Sequence, residues 1–118
     1  MIFFRRKKIN KDYVSKKIDA QKKVRAKVEI FNTFYNFTYK KITVRNQRTR
    51  WGSCSKNGGL NFNYRLIYLP EKLLDYVVVH ELCHLKEFNH SRRFWDLVFQ
   101  TIPDYKNRKL ELRNILIK

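Results

Sequence analysis

The chain has 118 residues, 43% of them hydrophobic, 15% aromatic and 31% charged, a balance that fits one compact domain and excludes a long disordered or low-complexity chain. Lys and Arg number 27 against 10 Asp and Glu, for a net charge of +17, which suits either an anionic partner or a plain solvated basic surface. Two cysteines, Cys54 and Cys83, are too few for a disulfide framework; with no run near the ~20 apolar residues of a membrane span, a cytoplasmic protein without a membrane partner is expected.

Residues 1–18 read as a basic N-terminal arm running into the start of a helix. The opening Met1-Ile2-Phe3-Phe4 turns at once to Arg5-Arg6-Lys7-Lys8, too short an apolar run for a signal peptide. From Asp12 to Asn36 the apolar residues Ala20, Val24, Val28, Phe31 and Tyr35 recur at three- and four-residue steps, the stripe of a packing helix with a basic back. Phe37 to Val44 is rich in β-branched and aromatic residues and predicts a strand, with Thr49 to Ser55 as a second. Lys56-Asn57-Gly58-Gly59 is a turn signal. Leu60 to Leu69 alternates, with Leu60, Phe62, Tyr64 and Leu66 facing the core and Asn61, Asn63 and Arg65 facing away.

Pro70 ends that strand and suits the first turn of a helix. The helix runs from Glu71 to about Phe88 and is apolar almost all round, so it belongs at the centre of the domain. Asn89 suits a left-handed terminator. Ser91 can cap a further helix through Phe94, Trp95, Leu97 and Val98; Pro103-Asp104 breaks it; a last basic helix carries Leu110, Leu112, Ile115 and Leu116. The whole chain, 1–118, reads as one α+β domain.

The central helix contains His80-Glu81-Leu82-Cys83-His84, an H-E-x-x-H pattern. Residues four apart project side by side on a helix, so two imidazoles can grip one Zn²⁺ while Glu81, beside them, takes a proton from water. A helix otherwise made of Val, Leu and Tyr has no packing reason to hold two His and a Glu, because burying them without partners is costly. A catalytic zinc takes three protein ligands. His90, six residues on, has the spacing at which metzincins place their third histidine, although Glu87 replaces their Gly and the only Met is Met1. Glu87, Asp96 and Glu111 are alternative third ligands, and a closed site using Cys54 and Cys83 is the non-enzymatic alternative.

Arg50-Trp51-Gly52-Ser53-Cys54, Leu60-Asn61-Phe62-Asn63-Tyr64-Arg65-Leu66, Tyr76-Val77-Val78-Val79-His80-Glu81-Leu82-Cys83-His84 and Asn89-His90-Ser91-Arg92-Arg93-Phe94-Trp95 occur in order. Together they resemble the YgjP-type metallopeptidase domain, related to the SprT-like and WLM families, from about Asp19 to Arg113; the family's N-terminal β-rich half is not present in this sequence. The resemblance implies a zincin-like fold, a small antiparallel sheet packed on the H-E-x-x-H helix with flanking helices. It also implies one zinc, or another divalent metal, at His80, His84 and His90, with Glu81 as catalytic base.

The function expected is zinc-assisted hydrolysis of a peptide or protein. Asn61, Asn63 and Arg65 offer a substrate-binding strand edge, and Tyr64, Tyr105 and Arg65 are candidates for stabilising the oxyanion. Two alternatives stand beside it. One is metal-dependent hydrolysis of a nucleotide phosphoanhydride; the other is a nucleic-acid-associated SprT-like module that uses the basic surface.

Overall fold

The computed structural model describes residues 10–115 and 117; most of the basic arm, and Leu116, lie outside them. Helix α1 spans Lys11–Tyr35. Asn10 caps it by accepting the Tyr13 amide at 3.0 Å. Asn36 closes it in the left-handed conformation at φ 57°, its N–H donating to the Asn32 carbonyl at 2.7 Å, and its inward stripe is Ala20, Val24 and Val28, all fully buried.

Strand β1 is Lys41–Arg45, shorter than the expected Phe37 to Val44. The reason lies at the helix end. The Asn32 side-chain amide donates to the Phe37 carbonyl at 2.9 Å and accepts its N–H at 2.8 Å. That clip commits Phe37 to the end of α1 and leaves it no group for a ladder. Strand β2 is Gly52–Cys54 and β3 is Gly59–Asn63, joined through a turn in which Gly58 has φ +93°.

The sheet order is β1-β3-β2, with β1 and β3 parallel and β3 and β2 antiparallel. An all-antiparallel sheet was the expectation; the observed sheet is mixed. The physical cause is that β3 inserts between β1 and β2 instead of adding outside β2, so it runs with β1.

The alternation from Leu60 to Leu69 is strand only as far as Asn63. Tyr64–Tyr68 forms a 3-10 turn. Asn63, expected on the solvated face, is fully buried. Its amide donates to the carbonyls of Gln47 and Arg50, each at 2.9 Å, and its Oδ1 accepts the Arg65 N–H at 3.0 Å. One side chain therefore ends β3, starts the 3-10 turn and pins the loop that leads into β2.

Helix α2 spans Glu71–His84, with Pro70 before it and nine of its side chains buried. It is the centre of the molecule, packed by α1 on one side and by β2, α3 and α4 on others. It ends at His84, a turn before the expected Phe88; Asn89 is not left-handed, since Asn36 is the single non-glycine with positive φ among the described residues. The amides of Lys86 and Glu87 fold back on the Cys83 carbonyl at 3.1 and 2.9 Å, so a tight turn replaces the last helical turn. Helix α3 (Arg92–Thr101) starts at the Ser91 cap, and α4 (Tyr105–Arg113) follows Pro103-Asp104. Cys54 and Cys83 are both free. No helix of the described residues is long and apolar enough to cross a membrane.

Asn63→Ala removes the donor from two loop carbonyls and should lower stability by about 1–3 kcal/mol, read as a lower urea midpoint with an unchanged slope.

Candidate metal centre

Two elements and one turn assemble the centre. Helix α2 supplies His80, Glu81 and His84 from its last turns, Glu81 buried and the two histidines half-buried. The turn after α2 returns the chain so that His90, just before the α3 cap, faces them. The Nε2 atoms of His80 and His84 are 3.2 Å apart, those of His84 and His90 3.0 Å, and those of His90 and His80 3.1 Å. These three are the one group of metal-capable side chains that comes together among the described residues.

The outer nitrogens of two of the rings have partners. His84 Nδ1 lies 3.1 Å from the Glu87 carbonyl oxygen, and His80 Nδ1 lies 3.4 Å from the Tyr76 hydroxyl. A carbonyl only accepts, so the His84 proton sits on Nδ1 and leaves Nε2 with a bare lone pair. Burial, and then the neighbouring His84 and His90, hold the His80 imidazolium down to about 3; burial also lowers His84. Nitrogen lone pairs aimed at one point repel one another unless a cation occupies it. Three nitrogens so spaced share a point about 2 Å from each, the zinc–imidazole distance. The residues present fit a zinc ion.

Glu81 is 6% exposed. Burial pushes its carboxyl up to about 8, with the Arg50 guanidinium pulling the other way. It is a carboxyl able to take up a proton near neutral pH.

Three contributors escaped the reading of the sequence. Phe94, at 0% exposure, stacks on His84 with ring centroids 4.3 Å apart and touches His80 and His90 edge-on at 5.0 and 5.1 Å, forming a floor under all three imidazoles. Tyr76 faces His80 from one turn earlier on α2. Gly52 lets β2 approach the base: a Cβ there would lie 3.1 Å from both Cγ and Oε2 of Glu81. All three stood in the quoted sequence motifs, but nothing in their spacing distinguishes them from ordinary core residues.

The other candidate residues lie outside the histidine triad. Asn61 lies on β3, whose two edges are both paired, so that strand cannot accept a peptide by edge addition. Asn63 is buried in its loop contacts. Arg65 donates to Asn46 Oδ1 and the Gln47 carbonyl, each at 2.9 Å, and its guanidinium covers the Tyr64 ring at 4.7 Å. Tyr64 itself donates to Asp12 at 3.0 Å. Both are engaged away from the histidines. Tyr105 stacks on Trp95 at 4.9 Å, and Trp95 in turn stacks on His90 at 5.8 Å. Glu111 pairs with Lys72 at 2.8 Å, and Cys83 is a core residue at 0% exposure.

The free edge beside the centre belongs to β2. Asn63 N–H donates to the Trp51 carbonyl at 2.9 Å and Ser55 N–H to that of Gly59 at 2.8 Å, while Ser53 sits opposite Asn61. Odd-numbered residues of this segment thus bond inward to β3, and the backbone groups of Gly52 and Cys54 point to the open side.

Comparison with known proteins follows the same line. The family described as "YgjP-like, metallopeptidase domain" matches residues 5–115, a longer stretch than the resemblance read from the motifs. A curated protein of Escherichia coli (strain K12), UTP pyrophosphatase, is 41% identical over 44 residues, covering 37% of this chain. That match covers 26% of the E. coli protein, so the chain spans about a quarter of the curated relative. The crystal structure of the metallopeptidase zymogen of Pyrococcus abyssi abylysin is similar at TM-score 0.68 and 23% identity, covering 75% of this chain and 90% of that one. The zymogen of Methanocaldococcus jannaschii jannalysin gives TM-score 0.64 at 23% identity, covering 76% and 91%. At that identity the likeness is one of fold, and it agrees with the α+β architecture seen here.

Phe94→Leu keeps an apolar side chain in the core and should cost less than the about 3–5 kcal/mol of a Phe-to-Ala truncation. It removes the floor that orients the rings, so zinc affinity, measured by competition with a chromogenic chelator, should fall by about 10- to 100-fold.

Proposed function

The chain belongs to the YgjP-like metallopeptidase family, and from that premise we propose that it is a zinc-dependent peptidase whose metal is held by His80, His84 and His90 and whose general base is Glu81. The observation that carries this reading is the convergence of three Nε2 atoms within 3.2 Å of one another, with a buried carboxyl on the adjoining residue. Zinc bound there would supply Lewis acidity, polarising a carbonyl and making a nearby water easier to deprotonate. Manganese, cobalt or nickel suit similar donors, and supply as well as geometry decides among them.

The chain's own residues do the rest. Glu81 accepts a proton from the attacking water and returns it to the leaving amine. The Glu87 carbonyl and the Tyr76 hydroxyl hold the outer nitrogens of His84 and His80, fixing ring orientation. Phe94 and Trp95 exclude water from one side of the rings. The open edge of β2, at Gly52 and Cys54, is suited to an extended peptide, which would lie beside Glu81 by strand addition. This edge takes the place of the one expected at Asn61, Asn63 and Arg65.

A second reading is favoured by one observation, the 41% identity over 44 residues to UTP pyrophosphatase of E. coli. The same base beside the same metal suits attack of water on a phosphoanhydride. Release of pyrophosphate or phosphate from UTP, against cleavage of unstructured peptides, separates the two.

Zinc binding to the folded chain alone should raise the melting temperature, with stabilisation of about 4 kcal/mol at a thousandfold excess over the dissociation constant. In His90→Ala most of that gain should vanish, and metal analysis should find well under one zinc per chain. Glu81→Gln should retain one zinc per chain and lose about 100- to 10,000-fold in turnover. Full turnover by zinc-loaded Glu81→Gln would refute the assignment of the base.

A further inference from the structure

Beside His80 and Glu81 the surface opens into a cleft of about 670 Å³. Its walls come from the loop before β2 on one side and from α4 on the other. The loop contributes Arg48 and Arg50; α4 contributes Lys109 and Arg113. Trp51 and Tyr76 line it between them, and Glu81 is its one acidic lining residue.

Elsewhere, three cations of the described residues are paired with carboxylates. Lys27 is paired with Glu71 and Asp75, Lys72 with Glu111, and Arg108 with Asp104. None of Arg48, Arg50, Lys109 or Arg113 is within ion-pair distance of a carboxylate among the described residues. Lys109 and Arg113 are one helical turn apart, so they present together. The two walls bracket the centre, with His80 and Glu81 lining the cleft between them. Four like charges around one concavity repel one another, and low-dielectric walls sharpen the resulting positive potential. An anion placed among them relieves that repulsion.

We propose that this cleft is an anion subsite: Arg48, Arg50, Lys109 and Arg113 hold a carboxylate or phosphate group of the substrate next to the bond that is cut. The inference rests on the hydrolase reading above and adds to it a substrate class, one carrying negative charge beside the reacting bond. The chemistry is shared by an acidic peptide and a nucleoside triphosphate, and the test has an arm for each. These residues determine specificity; none is assigned to the chemical step.

The test reads binding, so it does not depend on turnover. Zinc-loaded Glu81→Gln protein is titrated with three probes: an acetylated, amidated alanine hexapeptide with two central Glu, its counterpart with two central Gln, and UTP. Trp51 lies in the cleft, so tryptophan fluorescence reports occupancy, with calorimetry as a check. The acidic peptide, UTP or both should bind at least about tenfold tighter than the Gln peptide. That advantage should shrink as salt rises from about 50 to about 300 mM, because the Debye length shortens.

In the same background Arg48→Gln with Arg113→Gln, both exposed positions, should remove at least about fivefold of the anion affinity and leave the Gln peptide unchanged. Lys22→Gln with Arg25→Gln on α1 makes the same change in net charge away from the cleft and should have little effect. Equal binding of all three probes overturns the proposal, and so does an equal loss from the α1 pair. Selective binding of UTP alone assigns the anion as phosphate and selective binding of the Glu peptide as carboxylate; either supports it. Failure of the wild-type zinc enzyme to cut any peptide is a separate result, which sinks the peptidase reading and leaves the anion subsite standing.

Discussion

Three imidazole nitrogens face one another at 3.0 to 3.2 Å in a largely apolar surround, and the rest of the architecture follows from the need to hold them there. Histidines are ordinarily satisfied by one hydrogen-bond donor or acceptor on each ring nitrogen. Here the outer nitrogens of His80 and His84 have partners and the inner ones point only at each other. Protonating His80 is opposed by burial and then by the neighbouring His84 and His90, which hold its imidazolium down to about 3. A shared cation is the arrangement that turns these repulsions into bonds, and its attraction offsets the desolvation of the rings.

The scaffold meets this requirement with few parts. Helix α2 is buried on nearly every side, so its last turns cannot shift without disturbing α1, the sheet and α3 together. Phe94 supports all three rings from a single position. The tight turn onto the Cys83 carbonyl brings His90 round within six residues of His84. On the opposite side, the absence of a side chain at Gly52 brings an open strand edge and a buried carboxyl to the same place. Three histidines, a buried carboxyl and an open strand edge thus converge on one end of one helix.

Much of this was legible in the amino-acid sequence, for identifiable reasons. The helix periodicity of α1 and the Ser91 cap are local signals, as is the i, i+4 pairing of His80 and His84. What could not be read depends on long-range partners. The strand at Phe37 was lost to the amide of Asn32, and the parallel pairing of β1 and β3 depends on which side of β2 the next strand inserts. Asn63 looked solvated because its face of β3 alternates with the core face; it is covered by a loop whose two carbonyls come from residues 13 and 16 positions away. The open edge expected at Asn61 is not there, since a middle strand has no edge to offer; the free edge belongs to β2. Phe94, Tyr76 and Gly52 act through contacts in space, and a single sequence carries no mark of such contacts.

The most direct test is X-ray absorption at the zinc edge on protein loaded with one equivalent of metal. The account predicts a first shell of about three nitrogen scatterers with imidazole signatures near 2.0–2.1 Å and about one further light oxygen scatterer. A shell containing sulfur near 2.3 Å, or one with fewer than three imidazoles, would contradict it.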